Sequence, residues 1–197
     1  MASAATAEGL GGLLDKRRII AEPGYNRWLV PPAALAIHLC IGMAYGFSVF
    51  WLPLGRALGV AQGTGQPIPC PGDATTFLGK LAITGRALFT TSCDWTQFDL
   101  GWMYTLFFVL LGVSAAIWGG WLERVGPRKA AFVAALCWCG GLLISAFGVY
   151  IHQLWMLWVG SGIIGGCGLG LGYISPVSTL IKWFPDRRGM ATGMAIM

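Results

Sequence analysis

Two long stretches without a formal charge, joined by a short basic turn, limit what this chain can fold into more than any other feature. No Asp, Glu, Lys or Arg occurs from 100 to 122, and none from 130 to 181. Between them lies Glu123-Arg124-Val125-Gly126-Pro127-Arg128-Lys129. An apolar run of about 20 residues crosses the hydrocarbon core of a bilayer as a helix. The turn therefore joins two membrane-spanning helices. The second run is too long for one span and must fold back once; its most polar point is Tyr150-Ile151-His152-Gln153.

The same logic places a first span over 28–54, where no charge occurs before Arg56. The others are expected over 100–122, 130–150 and 154–180. A fifth begins near Arg188 and runs to the last residue given, so the sequence reads as part of a longer protein. Residues 1–15 are rich in Ala and Gly and lack the apolar core of a signal peptide. Segment 1–27, with the Lys16-Arg17-Arg18 cluster, reads as a tail before the first span.

Composition agrees. The chain is 56% hydrophobic and 11% charged, against about 25% charged in soluble domains. Its net charge of +5 would suggest nucleic acid in a soluble protein, but these basic residues flank apolar runs. With the N-terminus inside, ten Lys and Arg face the cytoplasm and three (Arg56, Lys80 and Arg86) face outward. That bias sets the expected orientation, and the expected location is the plasma (inner) membrane. The outer connection, about 55–99, is long. Its Gly/Pro-rich stretch 62–73 is not helical in character, whereas 78–90 suits a short interfacial helix.

Cys137 and Cys139, two apart on a helix, point to different sides and are poorly placed to chelate one ion. No metal site and no cofactor is expected. Cys70 and Cys93 both fall in the outer loop, where they are either free thiols or a bridge adding about 3 kcal/mol. The glycines from Gly160 to Gly172 lie inside an apolar run, which excludes a phosphate loop. Spaced at i, i+4, they let helix backbones approach closely in lipid. His38 shares a helical face with Gly42 and Tyr45, and loosely with Ser48. It is either part of a polar stripe on a central cavity or a neutral imidazole bonded between helices. No acid lies in a span interior, so this portion lacks an intramembrane carboxylate for a proton relay.

The turn resembles the loop between the second and third helices of the major facilitator superfamily. Gly119, Glu123, Arg124, Gly126 and Arg128 fit that pattern, with Glu123 where Asp is commoner and Trp121 where Leu is commoner. Ile181-Lys182-Trp183-Phe184-Pro185-Asp186-Arg187-Arg188-Gly189-Met190-Ala191-Thr192-Gly193 is similar to a stretch of the oxalate/formate antiporter family. So is Gly42-Met43-Ala44-Tyr45-Gly46-Phe47-Ser48-Val49-Phe50. The related monocarboxylate porters share parts of both.

The resemblance implies an all-α polytopic membrane fold, here the first part of a six-helix half. It implies twelve helices in all, with a solute site between the halves and alternating access. The implied gating set is Gly119, Glu123, Arg124, Gly126, Arg128 and Lys129, with Arg187 and Arg188 of the second motif. The implied solute-facing set is His38, Tyr45, Ser48, Tyr104, Thr105, Tyr173 and Ser175. The implied function is secondary transport of small carboxylates, not enzymatic catalysis. The partners are the bilayer, the solute and the missing C-terminal half of the same transporter, with no nucleic acid. The rival readings are a polytopic protein that transports nothing and an inactive transporter fragment.

Overall fold

A computed structural model describes residues 20–21, 23–72 and 75–196, together with residue 14. The Lys16-Arg17-Arg18 cluster and most of the expected tail lie outside the described residues. Four helices are long and apolar enough to cross a membrane: α1 (Arg27–Leu54), α4 (Gln97–Val125), α5 (Pro127–Tyr150) and α6 (Leu154–Trp183). Two short helices, α2 (Ala57–Ala61) and α3 (Phe77–Ala87), lie in the long connection. A seventh, α7 (Arg188–Ile196), begins where the fifth span is expected. Among the described residues there is no strand.

The boundaries follow from local chemistry. Thr96 caps α4 by accepting from the Asp99 amide, while the Asp99 carboxylate accepts from the Thr96 amide, a reciprocal box. Gly126 alone separates α4 from α5, with φ +95°, a backbone state that side-chain-bearing residues avoid. Pro127 opens α5, where a missing N–H does no harm. The α5–α6 turn falls at Ile151-His152-Gln153, and His152 takes a left-handed φ of +55°.

The central element is α6. In its most apolar window 61% of residues are buried inside the protein, against 17–22% for the other three spans. α1, α4, α5 and α7 all pack on it. Its glycines make this possible. A Cβ at Gly166 would lie 2.8 Å from the Phe107 carbonyl, and one at Gly168 would lie 2.7 Å from the Trp138 amide nitrogen. Apolar side chains from α1, α4 and α6 (Ile41, Ala44, Phe107 and Leu169) form the mid-span core.

Two spans depart from regular α geometry. The middle of α1, Gly42–Phe50, is a 3-10 helix, although such runs seldom exceed four residues. In α6, Trp158–Gly165 is π-helical. Neither is visible in hydrophobic periodicity.

The long connection folds down as a cap on one end of the bundle, hereafter the loop end. Asp94, 2% exposed, holds it. Its carboxylate accepts from the amides of Leu58, Gly59 and Ile68 at 2.8, 3.0 and 2.9 Å. Asp99, fully buried, accepts from the hydroxyls of Thr84 and Thr96 and so ties α3 to α4. The His152 ring stacks on Trp95 at 4.5 Å and bonds through Nε2 to the Cys93 carbonyl at 2.9 Å. Cys70 and Cys93 are joined as a disulfide with Cα atoms 5.0 Å apart.

Candidate functional site

Three of the seven solute-facing candidates converge. His38 on α1 and Tyr173 on α6 meet ring edge to face, centroids 5.2 Å apart. With Tyr45, Leu35, Leu39, Ile41 and Gly42 they line a cavity of about 540 Å³. His38 Nδ1 bonds to the Ala34 carbonyl one turn back, at 3.1 Å. That fixes the ring and turns Nε2 away from its own helix. Among the described residues, Nε2 is buried and has no partner, and the hydroxyls of Tyr45 and Tyr173 make no hydrogen bond either. The two tyrosines line the cavity with bonding capacity unused, and the His38 ring forms part of its wall. Such groups are costly to leave unsatisfied in an apolar setting.

The other four candidates are engaged or placed elsewhere. The Tyr104 hydroxyl donates to the Ala44 carbonyl, inside the 3-10 stretch, at 3.2 Å. Its ring packs among Phe47, Trp51, Phe107 and Phe108, so Tyr104 locks α4 to α1. Thr105 donates to the Gly101 carbonyl of its own helix at 3.0 Å. Ser175 is buried and donates to the Pro127 carbonyl at 3.3 Å, a contact between α6 and the start of α5. Ser48 lines a different cavity, at the loop end. Shared polarity put Tyr104, Thr105 and Ser175 in the set and a loose helical spacing added Ser48, but their side chains do not share one face of the bundle.

At the opposite end, hereafter the turn end, the charged gating candidates are exposed, and Glu123 forms an ion pair. Glu123 Oε1 meets Lys182 Nζ at 2.8 Å, joining the end of α4 to the end of α6. Arg124 and Arg128 also interact within the chain. Gly119 faces Ile174 of α6 at ordinary contact distance, and Lys129 is exposed.

A second clasp was missed by sequence reasoning. Arg27, at the start of α1, donates to both oxygens of Asp186, at 3.1 and 3.3 Å. Its guanidinium also lies 5.1 Å from the centre of the Phe184 ring. A backbone hydrogen bond, then the Arg27 hydrogen bond and charge and the Arg187 charge, hold the Asp186 carboxyl below its ordinary range, against a smaller opposing effect of desolvation. Arg188 opens α7 and accepts from Thr192 through its carbonyl. The signal for this clasp was an acid and a base at the membrane-side ends of two spans, 159 residues apart. Among the described residues, no group of three or more His, Cys, Asp or Glu is arranged to hold a metal.

The sequence has relatives among known proteins. The chain is 30% identical over 86 residues to the uncharacterized MFS-type transporter YhjX of Escherichia coli (strain K12), covering 44% of this chain and 21% of that protein. It is 24% identical over 169 residues to apicoplast pyruvate carrier 1 of Toxoplasma gondii, 80% of this chain and 29% of the carrier. Monocarboxylate transporter 2 of Mesocricetus auratus is 26% identical over 99 residues, 50% of this chain and 20% of that protein. The chain thus spans less than a third of the length of these relatives. No solved structure matches it. The model of the Major Facilitator Superfamily matches residues 34–197. On that match, and on three membrane-length helices packed about a fourth, glycine-rich one, the chain belongs to the major facilitator superfamily.

Proposed function

We propose that this chain is the first part of a secondary transporter that moves small carboxylates across a membrane by alternating access, with the His38 cavity on the solute path. The observation that carries this reading is the convergence of the Tyr45 and Tyr173 side chains, beside the His38 ring, on one cavity. Hydroxyl donors suit an anion that can only accept. Two relatives are named as a pyruvate carrier and a monocarboxylate transporter, which favours carboxylates of that size. A second half of the same protein supplies the facing wall. Oxalate, formate and monocarboxylates all fit the site's chemistry, and exchange is the mode the oxalate/formate resemblance suggests. The N-terminus is cytoplasmic in this reading and the loop end faces outward. A cysteine introduced at Gln62 then labels from outside, whereas one at Arg128 does not.

The deciding experiment is Tyr45→Phe in the complete transporter. It removes one donor and keeps the ring against Phe108, 6.5 Å away. Affinity for the carboxylate should weaken by about 1 kcal/mol, with expression and thermal unfolding unchanged. Unchanged affinity, together with destabilisation by Tyr45→Ala, would make Tyr45 a packing residue and remove the cavity from the solute path.

A further inference from the structure

We infer that the loop end holds a second anion site, a vestibule in which Arg56 captures a small carboxylate before it moves deeper; this rests on the transport reading above. The site is a cavity of about 710 Å³ lined by Ser48, Trp51, Arg56, Trp95 and Gln97, with Asp94 beneath. That is ample for a small solute.

Of the three basic residues at this end, two are accounted for elsewhere. Arg86 donates to the Pro71 carbonyl at 3.2 Å, and Lys80 is exposed outside the cavity lining. Arg56 lines the cavity, and among the described residues its guanidinium has no acceptor. Among the described residues Asp94 is the one acid in the lining, and its oxygens are committed to three backbone amides, which offset part of its charge.

The other polar side chains of the lining, Gln97 and Ser48, can donate. A permanently charged planar fork beside two such groups suits a carboxylate, which accepts through both oxygens. A lipid phosphate shares that chemistry, but the lining belongs to the cap and to the ends of α1 and α4. The Trp51 wall and a volume ample for a small molecule favour a solute.

The test uses the complete transporter, purified in a non-ionic detergent and also reconstituted with phosphatidylglycerol. Phenylglyoxal modification of Arg56 is followed by peptide mapping, with Arg86 as internal reference and pyruvate, oxalate and formate as probes. At least one probe should slow modification of Arg56 severalfold, in detergent as well as in lipid, when chloride at equal ionic strength does not. Uptake of that probe by Arg56→Gln should show KM raised about tenfold with kcat unchanged, and Arg56→Lys should recover part of the loss. Protection of Arg56 without any uptake by the unsubstituted protein would keep the vestibule and refute the transport reading. If no probe protects Arg56, or only phosphatidylglycerol does, the vestibule is overturned whatever the transport result.

Discussion

The two ends of this bundle use charge in opposite ways. At the loop end, Asp94 and Asp99 are buried and saturated by backbone amides and hydroxyls, and a disulfide adds a covalent tie. At the turn end, Glu123–Lys182 and Arg27–Asp186 stand in solvent, with side chains 42–58% exposed. A buried carboxylate with several donors is expensive to disturb, whereas an exposed ion pair contributes only about 0–1 kcal/mol. The loop end is therefore costly to pull apart and the turn end cheap. In the transport function proposed above, a gate that breaks in every cycle belongs with the second kind.

The largest effect that would break this contrast is expected at Asp94. Asp94→Ala leaves three amides without an acceptor, and it should destabilise the protein by about 3 kcal/mol or more, measured by thermal unfolding in detergent. A loss under about 1 kcal/mol would mean the cap is not held there. Next comes the disulfide, which separates its cysteines by 23 positions. Cys70→Ser, or reduction of the native protein, should remove about 3 kcal/mol at most. The rest of the cap should stay docked through Asp94 and His152, as read by protease resistance of the 62–72 segment.

At the turn end, Glu123→Gln should change stability by less than about 1 kcal/mol yet lower transport by the complete protein. Lys182→Gln should match it, and the double variant should be no worse than either single one. Additive losses would show that the two side chains act separately. The smallest effect is the pH dependence of the second clasp. The Asp186 carboxyl is depressed in the folded chain, so its contribution is whole above the unfolded value of about 3.9 and fades as pH falls through the lower folded value. Between pH 5 and 8, Asp186→Asn should therefore give a small offset that does not vary with pH, and the gap should close only below about pH 4.

The positions of the spans were the legible part of this chain, because charge marks span ends locally. The expected spans 28–54, 100–122, 130–150 and 154–180 lie within or beside the observed helices, and the turn came where His152-Gln153 interrupts the apolar run. The glycine stripe of α6 also meant what its spacing implied, close backbone approach. Pairings across the fold were not legible. Nothing near Asp94 in sequence says that its acceptors serve amides at 58, 59 and 68, and nothing near Glu123 names Lys182. Of the solute-facing set, His38 and Tyr45 were tied by helical spacing and fell together. Tyr104 and Ser175 were chosen for polarity alone and proved to be fasteners between helices. Thr96-x-x-Asp99 was readable as a cap signal and would have explained one buried acid in advance.

The 3-10 segment of α1 has a mechanical consequence. At about 2.0 Å per residue its nine residues extend about 18 Å, whereas an α-helix of the same length extends about 13.5 Å. The same residues make about 3 turns in the first form and about 2.5 in the second. Recoiling this segment would shorten the span by about 4.5 Å and swivel one end against the other by about half a revolution. His38 precedes the segment and Trp51 and Arg56 follow it, so such a recoiling would couple a change in their separation to a rotation between them.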